Sequence, residues 1–554
     1  AATDVYFLRG SDAEEVFEPH FTYHGFRYVE VTGLPYKPSL DAFTGRVIHS
    51  AAPRTGTFET SDSLLNKLMD NILWTQRGNV IGIPTDCPQR AERAGWMGDA
   101  QVFSQTAIFN MNMARFFTKW LQDIRDAQSN DGQYSAFAPN PFLTLMLDRS
   151  EPGWIGANAP GWSDAGVIIP WVVYVNYADK RLLEEHFESA VRYVESIRKA
   201  NPDLIWREAR ARGPEFGDWV NGDTLDIVNW PRRGAATPMD LFATAFFAHS
   251  SELLAKIAKV LGREKEAKEY SALAAQIKDA FQREFVRADD RLHARGIPEP
   301  ALVTGAGYPT DGDNQTSYAL ALHFNLLPEN LRRAAVARMV ENIKKYNWCV
   351  STGIQGTHRM MLELARWGYS DVAYRLLLNR KVPSWGYMID HEATTIWERW
   401  DGYVQERGYQ TPLMNSFNHY AFGAVGEWMY RNIAGINPDP KNPGYKQFTI
   451  RPHPGGKLRY AKATYDSIRG RIESAWRTEN GVFHLNVTVP VNTTATVYVP
   501  AEDISQVNES ERPARQAEGV EFLRMEEGAA VFQIGSGQYE FKRNLADNAP
   551  ARID

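Results

Sequence analysis

The spacing of apolar and polar positions along the chain changes period twice. Over residues 1–55 the two alternate, as in Phe21-Thr-Tyr-His-Gly-Phe-Arg-Tyr-Val-Glu-Val-Thr32 and Arg46-Val-Ile-His49, between Gly and Pro residues. A period of two bounded by turn residues predicts antiparallel strands. So short a segment cannot close a sandwich by itself, so it is expected to be the remainder of a truncated β-sandwich or to have its sheet completed from elsewhere in the chain. From Ser61 the period lengthens to that of an amphipathic helix, with Ser and Asp in capping positions ahead of Leu64 and Leu65.

Helical spacing then recurs at about 99–126, 164–178, 180–200, 238–261, 264–285, 315–324, 328–346, 356–367, 370–378 and 418–432. No strand-like run separates these segments, and the loops between them are rich in Gly, Pro and Trp. Such a series predicts helices paired as antiparallel hairpins around one core, and a toroid of six pairs, an (α/α)6 barrel, fits the count. After Ala434 the period returns to two, in short runs at 448–451, 459–465, 470–477, 482–489, 495–499 and 530–534 with turn residues between them. That regular spacing predicts a β-sandwich. The expected organisation is mainly α: an N-terminal β segment over 1–55, the barrel over 56–436 and a C-terminal sandwich over 437–554, with Asn437–Gly444 as linker.

Composition narrows the partners. A chain of 554 residues exceeds what one core normally holds. With 61 basic against 67 acidic residues the net charge is −6, which gives no electrostatic case for nucleic acid or an anionic membrane. The apolar run at 165–175 is broken by Pro170 and too short to span a bilayer. Cys87 and Cys349 are the only cysteines, so neither a disulfide framework nor a thiolate zinc site is available. The 16 Trp residues suit a neutral, polar small molecule, because an indole covers the C–H face of a sugar ring.

Chemistry concentrates in Ile83–Gln101. There Asp86, Glu92 and Asp99 are three carboxylates, Arg90 and Arg93 two guanidiniums, and Trp96 a flat apolar face. The plainer reading, a solvated charged loop, has little use for an indole among three acids. Glycosidic bond hydrolysis needs one acid to protonate the leaving oxygen and a second carboxylate on the other side of the sugar. Glu398, between Trp397 and Trp400, supplies the second, and His419 is expected near a helix N-terminus, where it can bind a sugar hydroxyl. The plainer alternatives are an ion pair of Glu398 with Arg399 or Arg93, and a capped structural histidine. Trp162 and Trp219 each stand close to an Asp and a small residue in helix-flanking loops. Asp311-Gly-Asp-Asn314 is acidic but lacks the full spacing of a calcium loop.

The stretch from Asp86 to Gln101, together with Ala393-Thr-Thr-Ile-Trp-Glu-Arg-Trp-Asp401, resembles the two signatures of the bacterial α-L-rhamnosidases of glycoside hydrolase family 78. Phe21–Val31 and Trp385-Gly-Tyr-Met388 resemble that family too. The resemblance implies an (α/α)6 barrel flanked by β-sandwiches, and hydrolysis of terminal α-L-rhamnosyl groups with inversion, without a redox cofactor or catalytic metal. Position by position it implies Glu92 as general acid and Glu398 as general base acting through water. Asp86, Arg90, Trp96 and Asp99 match residues that hold the sugar, and Trp162, Trp219 and His419 fit further subsite positions.

The partner expected is a rhamnose-containing glycoside; a homodimer and the compartment are left open. Other (α/α)6 glycosidases, glucoamylase-like or acting on unsaturated uronides, and a silent glycan-binding protein are the alternatives. Ala91 stands where many relatives carry an acid, and Glu392 where Gly is common; the first departure points to an optimum on the acidic side. For an inverting pair the carboxyl carbons of Glu92 and Glu398 are expected about 6.5–9.5 Å apart.

Overall fold

The computed structural model describes residues 2–11, 13–140, 158–207, 216–224, 237–287, 289, 291–292 and 312–544, and Leu413 by its backbone alone. Asp311 of the acidic Asp311–Asn314 stretch lies outside them. The helices are α1 (Ser63–Asn79), α2 (Met97–Asn110), α3 (Ala114–Asp126), α4 (Ala165–Tyr177), α5 (Lys180–Ala200), α6 (Met239–Leu261) and α7 (Glu264–Phe285). They continue as α8 (Gln315–His323), α9 (Glu329–Lys345), α10 (Thr357–Arg366), α11 (Ser370–Leu377), α12 (Trp385–Asp390) and α13 (Val425–Trp428). Several begin where the sequence offers a cap. The Asp62 carboxylate accepts the Leu64 and Leu65 N–H groups, Asp179 that of Leu182, and Asn314 that of Ser317.

Burial alternates along this series. Every residue of α2 is buried, as are those of α8 before His323, whereas α3, α5, α7 and α9 bury one stripe and turn charged residues outward. A helix covered all round must lie inside and a one-striped helix outside. The chain thus alternates inner and outer helices, and α6 packs along α7, α4 along α5 and α8 along α9. No helix among the described residues is long and apolar enough to cross a membrane.

Strands enclose this helical body at one side. They are β1 (Gly56–Thr60), the hairpins β2 (Val80–Ile81) with β3 (Ile83–Pro84) and β4 (Tyr403–Val404) with β5 (Gly408–Tyr409), and then β6 (Ile436–Pro438), β7 (Gln447–Ile450), β8 (Tyr460–Ser467), β9 (Gly470–Glu479), β10 (Val482–Val489), β11 (Thr494–Pro500), β12 (Val507–Glu509), β13 (Arg512–Pro513), β14 (Val520–Glu526), β15 (Ala529–Ile534) and β16 (Gly537–Asn544). Two sheets form, in the orders β1-β8-β9-β10-β16-β12-β13 and β14-β15-β11-β7-β6. Along β10 the alternation puts Phe483, Leu485, Val487 and Val489 inward. Asn480 and Gly481, both with positive φ, make the tight turn from β9 to β10 that their sequence favours. The sheets dock on the helices through Trp476, whose indole N–H donates to the Ile433 carbonyl at 2.7 Å, and through Ser474, which donates to that of Ala434.

Four expectations change. Residues 2–49 form no strand among those described, only a 3-10 turn at Leu40–Ala42, and Phe7, Phe21 and Tyr28 are exposed. Alternation supplies a strand with a face but not with a hydrogen-bonding partner, and no described segment offers one here. The neighbouring β1 instead adds to the C-terminal sheet, pairing with β8 so that Phe58 faces Ala463. The helix expected over 99–126 is two, interrupted at Met111–Met113, where Met113 accepts a new helix start and its N–H is taken by the Tyr177 hydroxyl. The last helix, expected over 418–432, begins as a 3-10 turn at Ala421–Ala424, passes through α13 and ends in a π turn at Met429–Ile433. The Asn437–Gly444 stretch is partly β6 rather than free linker, with the Asn437 side chain bonded to Arg431.

Candidate active site

The loop 85–96 leaves β3 and runs into α2. Asp86 closes it from within: its N–H donates to the Ala94 carbonyl and its Oδ1 accepts the Ala94 N–H, both at 3.0 Å. Behind the loop Gly95 leaves no room for a side chain, since a Cβ there would stand 2.1 Å from the Ala138 carbonyl oxygen. The loop is therefore clamped to the helical body at its base while its tip carries Arg90 and Glu92. Asp99 sits in the first turn of α2, where the positive end of the helix dipole favours a carboxylate.

A second segment meets the first from the far end of the chain. The Glu398 N–H donates to the Ser416 carbonyl at 2.8 Å and the His419 N–H to that of Ile396 at 2.9 Å. These bonds hold Glu398 and His419 side by side, with His419 two residues before the 3-10 turn. Arg90 joins the two segments. Its Nε donates to Glu92 Oε2 at 2.7 Å, while its Nη2 stands 2.7 Å from that oxygen and 3.4 Å from Glu398 Oε2. The two carboxylates thus share one nitrogen, in unlike settings: the Glu92 side chain is 34% exposed and that of Glu398 4%. Glu398 pairs with neither Arg399, which binds Asp401, nor Arg93, which turns away to Tyr23.

Burial sets the electrostatics. It pushes the Glu398 carboxyl above its ordinary value, against the pull of His419 and Arg90. Asp86 is raised to about 7, by burial first and then by the charge of Glu92. For His419 burial acts downward, but the carboxylates of Glu398, Asp99 and Asp86 outweigh it and raise the imidazole to about 9. His419 is therefore a cation at neutral pH, its Nε2 donating to Asp99 Oδ1 at 2.6 Å. Among the described residues no partner reaches His419 Nδ1, Asp86 Oδ2 or Arg90 Nη1, all buried. Three buried polar atoms left open in one place are a ready set of hydrogen-bond partners for a polyhydroxylated ligand.

The apolar side is aromatic. The Trp96 indole N–H donates to Glu92 Oε1 at 3.0 Å, and its ring packs on Phe137 and edge-on against Phe216, at centroid distances of 5.1 and 5.4 Å. Phe216 is also touched by Trp162 at 4.7 Å and by Trp219 at 5.8 Å, so one phenyl ring gathers all three indoles. Trp162 is 2% exposed and lies under Gly98, where a Cβ would stand 2.5 Å from the indole. It therefore backs the site from beneath, while Trp219 is half-buried. Phe216 and Phe137 were not singled out in the sequence, because a lone Phe carries no signal that separates it from ordinary core. The two acids beside the tryptophans tie loops together. Asp164 accepts from the Gly161 N–H and the Ser250 hydroxyl, and Asp218 from the N–H groups of Gly353, Gln355 and Gly356.

Asp86, Cys87 and Glu92 place one potential ligand atom each within 4.8 Å of one another. Arg90 already holds the Glu92 oxygen, and burial raises the Cys87 thiol so that it stays protonated, which makes this trio a poor cation site.

A family model described as bacterial alpha-L-rhamnosidase 6 hairpin glycosidase domain matches residues 53–433; a C-terminal domain model of the same proteins matches 435–513 and their concanavalin-like domain 1–49. An alpha-L-rhamnosidase of Streptomyces avermitilis is 44% identical over 541 residues, 98% of this chain and 47% of that protein. The crystal structure of Streptomyces avermitilis alpha-L-rhamnosidase complexed with L-rhamnose aligns with a TM-score of 0.84 at 43% identity, covering 97% of this chain and 46% of that one. The structure of an alpha-L-rhamnosidase from Dictyoglumus thermophilum aligns at 0.81 and 37% identity, covering 95% and 54%. The chain spans about half the length of these relatives. By the helical-domain match and this near-complete similarity, the chain belongs to the bacterial α-L-rhamnosidase family.

Proposed function

We propose that the chain hydrolyses terminal, non-reducing α-L-rhamnosides with inversion, Glu92 acting as general acid and Glu398 as general base through a water molecule. The observation that carries this reading is the shared guanidinium: Arg90 lies within 2.7 Å of one carboxylate and 3.4 Å of the other. Joined through one nitrogen, the two carboxyl carbons stay below the upper end of the roughly 6.5–9.5 Å that an inverting pair requires. The acid stands at the solvent side, where a leaving group departs. The base is buried, held beside Arg90 and the cationic His419, which favour the charged form that takes a proton from water.

In this reading Asp86 Oδ2, Arg90 and His419, with Asp99 behind it, bind ring hydroxyls, and Trp96 with Trp219 covers the apolar side. A 6-deoxy sugar suits that pairing, because its methyl group needs an apolar wall where other hexoses carry a hydroxyl. The names of the relatives and the L-rhamnose in the Streptomyces structure support the same substrate class. The alternation of buried and one-striped helices supports an (α/α)6 barrel, and we propose the division 1–55, 56–436 and 437–554 for the chain.

A panel of 4-nitrophenyl glycosides tests the substrate class. Turnover of the α-L-rhamnoside well above the α-D-mannoside and α-D-glucoside is expected. Binding of rhamnose without turnover of any of them would overturn the reading in favour of a glycan-binding protein.

A further inference from the structure

Residues 23–27, far from the helical body in sequence, lie against both segments that carry the two carboxylates. On the first segment, Arg93 takes φ of +37°, a left-handed conformation costly for a side-chain-bearing residue. Its guanidinium repays that cost locally: Nε donates to the Arg90 carbonyl at 3.0 Å, Nη1 to the Tyr23 carbonyl at 2.8 Å, and the group lies 4.6 Å above the Tyr23 ring. The turn that presents Arg90 and Glu92 is thereby closed on itself and pinned to Tyr23. Two residues on, the backbone at Gly25 packs so closely that a Cβ would stand 2.8 Å from Pro88 Cγ and 2.9 Å from the Gln89 nitrogen. On the second segment, Glu392 is also left-handed, with φ of +60°, and its carbonyl accepts from Arg27 Nη2 at 3.3 Å. The strained residue beside each carboxylate segment is thus held by one short stretch of chain.

We infer that Tyr23, Gly25 and Arg27, together with Arg93, form a strut that sets the position of the Glu92 carboxyl relative to Glu398. This inference rests on the proposed roles of those two residues. The strut touches neither substrate nor the reacting atoms; these are positioning residues. Arg93 carries most of the effect, because the Arg27 contact to Glu392 is exposed and contributes little. Loosening the turn moves the acid, while Glu398, held by Ser416 and buried, stays in place.

A displaced acid is felt in proportion to how much the leaving group needs a proton. Arg93→Ala and Gly25→Ala are therefore compared with the unaltered 554-residue chain on methyl α-L-rhamnoside, whose leaving group must be protonated, and on 2,4-dinitrophenyl α-L-rhamnoside, whose leaving group departs without one. The strut predicts a fall in kcat of about 10–100-fold on the first and less than about threefold on the second, with Tyr23→Phe, which keeps ring and carbonyl, behaving as the unaltered chain. Equal loss on both substrates, or no loss in either variant, overturns it. Should Arg93→Ala fail to fold, Gly25→Ala decides the matter by the same ratio. Glu92→Gln measured in parallel separates the two readings. If it shows the leaving-group-dependent loss and the strut variants do not, the strut alone falls; if it slows both substrates alike, Glu92 is not the acid and both fall.

Discussion

Glu92 and Glu398 share one guanidinium but not one environment, and most of the residue-scale behaviour follows from that difference. Replacing Glu398 with Gln keeps its volume and removes the charge that faces Arg90 and His419; turnover should fall about 10²–10⁴-fold, with little change in rhamnose affinity measured by calorimetry. His419 supplies a second test. Its folded-state pKa of about 9 lies above the ordinary imidazole value, so the stability it contributes is fully present below about pH 6.5 and is lost as pH rises through about 9. The difference in melting temperature between the unaltered chain and His419→Gln should accordingly be largest near pH 6 and shrink by pH 10; a difference that grew with pH would contradict the charged histidine. At this scale much was legible in the sequence. Three acids and an indole in one loop, and a Glu between two tryptophans, point to paired carboxylates whatever the surrounding fold. What could not be read was which cation pairs with Glu398. The candidates were Arg399, adjacent in sequence, and Arg93 from the first loop, whereas it is Arg90 of that same loop that reaches Glu398, across 308 positions of chain.

Helices were legible as elements because each buries a stripe or a whole surface, and their caps, such as Asp62 and Asp179, are written at their first turns. The strands expected over residues 1–55 do not form among the described residues, because period two reports a face and says nothing about a partner. Inner helices make the strongest prediction at this scale. Gly98 in the first turn of α2 lies against the Trp162 ring, and Gly98→Ala would place a methyl group 2.5 Å from it. The ring cannot retreat, since it is enclosed by Phe216 and the core. Overpacking of this kind costs about 1–3 kcal/mol, and because α2 also carries Asp99, the loss should appear in thermal melting together with a raised KM. Trp162→Ala should destabilise by about 3–5 kcal/mol, whereas Trp219→Ala, at a half-buried position, should raise KM with a smaller effect on melting. Equal effects of the two on stability would contradict the different places assigned to them.

At the scale of the whole molecule, the C-terminal sheets are fastened to the helical body through Trp476, Ser474 and the β1–β8 ladder. One apolar cluster runs from the helices into the sheets, through Ile433, Ile436, Phe448 and Trp476. The parts should therefore unfold together. Trp476→Ala removes a buried indole and its bond to the Ile433 carbonyl, and is expected to lower the stability of the whole by about 3–5 kcal/mol in a single calorimetric transition; two separated transitions would show that the sheets fold apart. The change of period near Ala434 marks where strands follow helices, but not that β1, ahead of the first helix, pairs into the C-terminal sheet. The central claim about the molecule remains the inverting pair. The measurement that tests it most directly is proton NMR of the sugar released from 4-nitrophenyl α-L-rhamnoside in the first minutes of reaction, before mutarotation. The account predicts that β-L-rhamnose appears first and that Glu92→Gln and Glu398→Gln each release almost none. Initial release of the α-anomer would contradict it, since that outcome requires a carboxylate bound to the sugar rather than a water between them.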